Sequence, residues 1–238
     1  MSSLLSRRLA CIAHRGAHAD APENSLPAIA RALALGVDAI EIDVWHIAGT
    51  LLVTHDRRLG KQIPGSGRLI EQSPAALRAV RLPGDIQIPT LEEVLQLVDG
   101  RVTLNIELKG SDCAAATAAA LAAFTADSGG SLEPYIISSF DHRQLFDLKQ
   151  QLPAVKRGVL TAGIPLDYAA CCEAIDAYSF HPSIDCISRA LVDDARNRGL
   201  KVWVYTVNAV DDMQNMAAMG VDGVFTDEPA LLLKINPD

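Results

Sequence analysis

The stretch IEIDVWH, residues 40–46, is typical of a strand that is buried on both faces, and yet it contains two carboxylates. Successive side chains of a strand point to opposite faces, so Glu41 and Asp43 share one face while the neighbouring apolar residues share the other. Two buried carboxylates side by side repel each other and require a positive partner. A bound cation is the simplest such partner.

Short β-type runs alternate with helical stretches along the whole chain. Several helical stretches end in a glycine that can adopt the left-handed conformation of a helix C-cap, as at Gly36, Gly199 and Gly220. Regular alternation of this kind predicts parallel strands with helical crossovers, and (β/α) barrels routinely reach 238 residues as one domain. The eight predicted strands are residues 9–14, 39–45, 102–109, 135–140, 155–162, 177–182, 201–207 and 221–227.

The connection after the second strand is longer than the others. Residues of about 47–89 contain a predicted hairpin (GTLLVTHD), a Gly-rich turn and a short helix near SPAALRAV. Long loops within a compact domain are usually functional, so we expect an insertion over one face of the fold. We find no linker composition that would divide residues 1–238 into two domains.

Charge and composition exclude several classes of protein. A formal net charge of −8 argues against nucleic-acid binding, although a small anionic substrate fits a locally positive pocket. No apolar run approaches the roughly 20 residues that span a bilayer, so no stable membrane association is expected. Five cysteines without a C-x-x-C pair suit reduced thiols, and the N-terminus lacks the order of a secretory signal, so a cytoplasmic protein is predicted. The oligomeric state is not predicted.

Polar residues gather at the C-terminal ends of the predicted strands, the end where barrel enzymes build active sites. Three carboxylates, Glu41, Asp43 and Glu107, come from two of these strands and form an all-oxygen site that suits one divalent cation, Mg²⁺ or Ca²⁺. The structural alternative is a set of salt bridges between these carboxylates and nearby cations. The full set of polar strand-end residues is His14, Arg15, Glu41, Asp43, Glu107, Lys109, His181 and Asp227.

Two histidines and two cations complete a pattern that is typical of a phosphate-ester site. His14 ends the first strand and His55 lies just beyond the carboxylate strand, so the pair can accept one proton and supply another. Arg15 and Lys109 add fixed positive charge, and the guanidinium matches the geometry of phosphate. Trp203 is a candidate for packing against substrate carbons, with core packing almost equally favoured.

Other polar residues have simpler interpretations. His181 fits a pocket wall as well as a substrate contact, and Asp227 precedes the last helix, where an N-cap role competes with a role in the site. The remaining histidines, His18, His46 and His142, are expected to face solvent in loops or at strand ends.

Taken in order, these motifs resemble those of the glycerophosphodiester phosphodiesterases, especially the bacterial cytoplasmic members. The resemblance covers nearly the whole chain and depends on the motif set rather than on any one motif. The matching segments are HRG (14–16) with PENS (22–25), IEIDV (40–44), VTHD (53–56), NIELK (105–109) and TDEP (226–229).

The resemblance implies a (β/α)₈ TIM barrel and the hydrolysis of glycerophosphodiesters, small-molecule substrates, to sn-glycerol 3-phosphate and an alcohol. It also implies a divalent metal on Glu41, Asp43 and Glu107, with His14 and His55 as the catalytic acid–base pair. We assign His14 as base and His55 as acid, although the sequence does not fix which residue does which. The attacking group is either a metal-bound water or the glycerol 2-hydroxyl of the substrate.

Three other functions compete with this interpretation. A lysophospholipase D or phosphoinositide-type phospholipase on the same barrel requires an apolar rim or a basic membrane-facing surface. A non-catalytic barrel that binds phosphate esters would leave the two histidines without a purpose. A metal-assisted lyase could use Lys109 beside an enolate, but it would not explain Arg15.

Overall fold

The structure, a computed structural model, describes residues 4–236 and places nine strands around or beside one barrel. The strands are β1 (Ala10–Ala13), β2 (Ala39–Ile47), β3 (Thr50–Val53), β4 (Thr103–Leu108), β5 (Tyr135–Ser139), β6 (Lys156–Thr161), β7 (Ser179–Pro182), β8 (Lys201–Val204) and β9 (Gly223–Thr226). The helices are α1 (Leu26–Leu35), α2 (Pro74–Ala79), α3 (Leu91–Val98), α4 (Cys113–Ser128), α5 (His142–Gln151), α6 (Cys171–Ile175), α7 (Arg189–Asn197), α8 (Val210–Met219) and α9 (Pro229–Ile235). Two short 3₁₀ helices cover Leu69–Glu71 and Ile184–Cys186.

Eight of these described strands close into a parallel barrel, in the order β1-β9-β8-β7-β6-β5-β4-β2 with β2 returning to β1. β3 lies outside the barrel and pairs antiparallel with the last residues of β2. The predicted (β/α)₈ TIM barrel is thereby confirmed. Its strand ends bring loops from every βα connection to one mouth, where most of the predicted site residues lie.

Local sequence signals explain how the helices begin and end. The hydroxyl of Ser25 accepts a hydrogen bond from the backbone of Ala28 at the start of α1, and Gly36 ends this helix at φ 75°. The pattern of LDYAACCEAI, residues 166–175, predicts a helix over the whole stretch, but the helix before β7 begins only at Cys171. Tyr168 explains the difference, because its φ of 51° is incompatible with a right-handed helix.

The segment between β2 and α3 forms a second apolar cluster with Trp45 and Ile47 at the end of β2. The other buried residues of this cluster are Leu52, Ile63, Leu69, Leu77, Leu82 and Ile88. The predicted hairpin is present as β2–β3, and the predicted short helix is α2. The segment therefore packs as an ordered layer beside the barrel mouth. Within residues 4–236, no helix is long and apolar enough to cross a membrane.

Candidate active site

Three buried carboxylates lie together on β2 and β4. The register places Asp43 opposite Glu107, with Glu41 one pleat deeper in the barrel. One oxygen of each carboxylate lies within 4.8 Å of the others. Glu41 Oε1 is buried and has no hydrogen-bond partner among residues 4–236. An all-oxygen set with an unpartnered buried oxygen fits a hard divalent cation such as Mg²⁺ or Ca²⁺.

Two cationic side chains flank the carboxylates. Lys109 Nζ lies 2.7 Å from Glu107 Oε1 and 3.5 Å from Asp43 Oδ1. Arg15 Nε lies 3.3 Å from Asp43 Oδ2, and its terminal nitrogen lies 2.8 Å from Glu23 Oε1. The backbone N–H of Arg15 donates to Glu41 Oε2 at 2.9 Å. Both cations are thus fixed at the edge of the cluster, where a phosphate could contact them.

Burial and nearby charges shift the pKa values of the three carboxylates in different directions. Burial, together with repulsion from Asp43 and Glu107, raises the pKa of Glu41 well above its usual value. Burial and the charge of Asp43 raise the pKa of Glu107 to about 7, even though Lys109 opposes the shift. Burial would also raise the pKa of Asp43, but the charges of Lys109 and Arg15 outweigh it and hold that pKa below the ordinary value. The cluster therefore requires more positive charge than its neighbours supply.

His14 sits at the end of β1 and is held by a carboxylate from the end of β9. Its Nδ1 lies 2.7 Å from Asp227 Oδ1, and His18 Nε2 lies 3.1 Å from the same oxygen. Burial would raise the pKa of Asp227, but the hydrogen bonds from both histidines hold it far below the usual range. An ionised Asp227 fixes the ring of His14 and leaves its Nε2 for the pocket.

His55 follows β3 and has a carboxylate partner of its own. Its Nδ1 lies 3.2 Å from Asp56 Oδ1. Burial lowers the pKa of His55, and the charges of Arg15 and Lys109 lower it further against the attraction of Asp43. His55 is therefore neutral near pH 7 and able to accept a proton.

A cavity of about 210 Å³ lies between the two histidines. One side is polar, with the cations and carboxylates described above, and the other side is aromatic and apolar. A groove of about 490 Å³ between α3 and α4 is larger, but it offers only two acidic side chains and no histidine or cation. The apolar side of the smaller cavity is formed by Phe140, Leu160, Tyr205 and Phe225.

The sequence profile of the Glycerophosphoryl diester phosphodiesterase family matches residues 14–231. A glycerophosphodiester phosphodiesterase of Caldanaerobacter subterraneus is 33% identical over 233 residues, covering 94% of this chain and 96% of that protein. The chain belongs to the glycerophosphoryl diester phosphodiesterase family. A phosphodiesterase of Oleispira antarctica, solved in complex with its product sn-glycerol-3-phosphate, matches with a TM-score of 0.86 at 27% identity and 96% coverage of both chains.

Membership of this family of phosphoric diester hydrolases confirms the resemblance inferred from the motifs, and with it the prediction of an enzyme. Asp43 lies in the carboxylate cluster beside the cavity. The other residues predicted from the family motifs line the cavity: His14, Arg15, Glu41, His55, Glu107 and Lys109.

Trp203 and His181 lie deeper than the cavity. Their rings stack with centroids 5.5 Å apart, and His181 is fully buried with Nε2 2.8 Å from Ser179 Oγ. Trp203 is 7% exposed and contacts the cavity-lining ring of Phe225 with centroids 6.1 Å apart. Tyr205, two residues further along, lines the cavity at this strand. Direct contact between Trp203 and the substrate stays a prediction.

Three expectations for residues near the site are corrected by the structure. His18 does not face solvent freely, because it binds Asp227. His142 is likewise held, with Nε2 2.8 Å from the carbonyl oxygen of Leu160. Asp227 makes no N-cap for α9, whose N-cap residue is Glu228, and instead binds the site histidines.

The sequence reasoning also missed residues that support the site. Asn24 donates to Asp43 Oδ2 at 2.8 Å and accepts from the Asp43 backbone at 3.1 Å. Asp56 fixes His55 from the next position in the chain. Both residues lie within matched motifs, PENS and VTHD, and that location was the available signal.

Proposed function

We propose that the protein hydrolyses glycerophosphodiesters to sn-glycerol 3-phosphate and an alcohol. The observation that carries this proposal is the placement of His14 and His55, each held by a carboxylate, around a cavity that is also lined by two acidic and two cationic side chains. The product bound to the Oleispira antarctica phosphodiesterase supports the same substrate class.

We assign one divalent cation, Mg²⁺ or Ca²⁺, to Glu41, Asp43 and Glu107. When bound, such a cation polarises the phosphoryl group and balances the charge that develops on its oxygens. Arg15 and Lys109 bind the phosphate from the adjacent side, because they offer the nearest fixed positive charge.

The environments of the two histidines support distinct roles. The lowered pKa of His55 keeps its imidazole neutral, so we assign His55 as the proton acceptor. The ionised Asp227 binds His14 Nδ1 and leaves Nε2 toward the cavity, so we assign His14 as the donor to the leaving alcohol. This assignment reverses the one made from sequence, which did not include the contact between Asp227 and His14.

We also propose that residues 1–238 act as one domain with its insertion at about 47–89, because that segment packs against β2 through Trp45 and Ile47. Binding of small soluble diesters, rather than nucleic acid, remains our proposal for its partners. A cytoplasmic location stays a prediction.

The direct test is release of sn-glycerol 3-phosphate from glycerophosphocholine by the purified protein. It compares untreated protein, EDTA-treated protein and protein resupplied with Mg²⁺ or Ca²⁺. His14→Ala is expected to abolish release, whereas His46→Ala, which changes a histidine outside the cavity, is expected to retain it. Folded wild-type protein with a bound cation that releases nothing from any glycerophosphodiester would refute the proposal.

One observation favours a lipid substrate as the second candidate. The loop after β6 exposes Ile164 and Leu166 at the same end of the barrel as the apolar side of the cavity, where Phe140 is also exposed. An acyl chain could contact this rim. Lysophosphatidylcholine cleaved faster than glycerophosphocholine would make the lysophospholipase D activity the main one.

A further inference from the structure

We propose that Asn105 forms a hydroxyl-binding subsite at the cavity floor, where its side-chain carbonyl accepts a hydrogen bond from the glycerol moiety of the substrate. This inference rests on the proposed function and names the part of the substrate that the cavity recognises. The ligand class is a phosphate ester whose alkyl group has hydroxyls next to the ester carbon.

Asn105 has an unusual position for an amide. It lies on β4 opposite Glu41, lines the cavity and is 1% exposed. Its Nδ2 donates to Ser138 Oγ on β5 at 2.9 Å. Its Oδ1 is buried and has no hydrogen-bond partner within the described part of the chain.

A buried amide oxygen without a hydrogen-bond partner destabilises the folded protein. Such an oxygen therefore indicates a position where a ligand supplies the missing donor. In the structure the amide nitrogen faces Ser138, so the carbonyl oxygen is the end that remains available for a ligand. No donor among the described residues reaches this oxygen, and the nearby cavity residues Phe225 and Leu160 are apolar. A ligand hydroxyl in the cavity is the donor that would satisfy this oxygen.

The glycerol side of the substrate supplies such donors. sn-Glycerol 3-phosphate has two hydroxyls, whereas the choline of glycerophosphocholine has none to donate. A hydrogen bond to Asn105 would therefore orient the diester with its glycerol toward the floor and its other alcohol toward the mouth. Sites built to bind a hydroxyl discriminate strongly against analogues that lack it, because the buried polar group is then left unpaired.

Asn105 could instead serve as a fourth oxygen ligand of the cation, because it lies opposite Glu41 and amide oxygens bind hard cations. The two roles predict different losses on mutation. Loss of a hydroxyl subsite would reduce the preference for hydroxylated over plain alkyl phosphates. Loss of a metal ligand would reduce the affinity for the cation.

The test measures binding of two ligands by calorimetry at a saturating concentration of the cation that supports wild-type activity. The ligands are sn-glycerol 3-phosphate and propyl phosphate, which has the same carbon chain without hydroxyls. Wild-type protein is expected to prefer sn-glycerol 3-phosphate, and Asn105→Ala is expected to lose about tenfold of that preference. Ser138→Ala, which keeps Asn105 but removes its anchor, is expected to lose a smaller part. Thr117→Val removes another buried polar group without a partner, the Thr117 hydroxyl in α4, and is expected to keep the full ligand preference.

Cation affinity is titrated for the same folded variants, with folding checked by thermal melting. An Asn105→Ala protein that keeps the wild-type ligand preference overturns the inference and leaves the proposed function standing. A variant that loses cation affinity about tenfold or more also overturns it, because Asn105 is then a metal ligand. Wild-type protein that binds neither ligand and cleaves no glycerophosphodiester overturns the proposed function as well.

Discussion

Asp227→Asn tests whether the carboxylate at the end of β9 supports catalysis by fixing His14. Asp227 Oδ1 lies 2.7 Å from His14 Nδ1, and this short contact is a charge-assisted hydrogen bond because Asp227 is ionised. An asparagine keeps the size of the side chain but removes its charge. The His14 ring then loses the negatively charged partner that fixes its orientation.

The structure sets the size of the expected effect. A hydrogen bond to a charged group contributes about 1.5–3 kcal/mol, and each 1.36 kcal/mol changes a rate about tenfold. The side chain of Asp227 is 32% exposed, so solvent screening places this bond in the lower part of that range. We expect kcat for glycerophosphocholine to fall about 10- to 30-fold, with little change in KM.

Asp222→Asn is the matched control. Asp222 precedes β9 as Asp227 follows it, and it accepts from the Val202 backbone at 3.0 Å without contacting the cavity. We expect this variant to lose stability but to keep kcat. Steady-state kinetics of both variants, with thermal melting as a folding check, decide the matter. If Asp227→Asn retains kcat within about twofold of wild type, Asp227 does not act through His14.

Three further predictions concern protonation and packing. The pKa of Glu107 is raised to about 7, so cation binding must displace its proton, and cation affinity is expected to rise between pH 6 and 8. Calorimetry in two buffers would detect the released proton. A pH-independent affinity would contradict the raised pKa. Gly158→Ala is expected to lower the free energy of unfolding by about 2 kcal/mol, because a Cβ at this position would lie 2.5 Å from His181 Cε1. Unchanged unfolding in urea would contradict this and show that the His181 ring can move aside. Arg157→Met is expected to lower the free energy of unfolding by about 3 kcal/mol with kcat unchanged, because the buried guanidinium donates to the carbonyls of Val155 and Ile175. A large loss of kcat at unchanged stability would contradict this structural role.

The carboxylate cluster could be predicted from sequence because it depends only on strand periodicity and parallel pairing. Side chains two residues apart share a face, so Glu41 and Asp43 had to converge once residues 39–45 were taken as a strand. Parallel pairing then brought Glu107 level with Asp43. The cavity-lining positions of Arg15 and Lys109 followed from the same rule, since each stands just past the end of a strand.

The contact between His14 and Asp227 could not be predicted in this way. The two residues are 213 positions apart, and they meet only because the barrel closes through the pairing of β1 with β9. A local pattern at Asp227 indicates a helix start, which is the interpretation that the structure corrects. Long-range closure therefore supplies information that no window of sequence contains.

Trp203 illustrates a second limit, which is depth within the barrel. Period-two alternation assigns Trp203 and Tyr205 to the same inward face, but it does not tell which one reaches the mouth. The strand was predicted to continue to residue 207, and β8 instead ends at Val204. Tyr205 therefore lines the cavity, while Trp203 packs against His181 one layer deeper.

The charges of the site imply an order of binding. When ionised, Glu41, Asp43 and Glu107 outnumber the two nearby cations, and Arg15 is further shared with Glu23. Without a bound cation, the two positive side chains are already paired with carboxylates, so an anionic diester meets no free positive charge. A divalent cation bound by the carboxylates offsets their negative charge. Arg15 and Lys109 then become available to bind phosphate. We therefore expect sn-glycerol 3-phosphate to bind measurably only when the cation is present, and equal binding in EDTA would contradict this order.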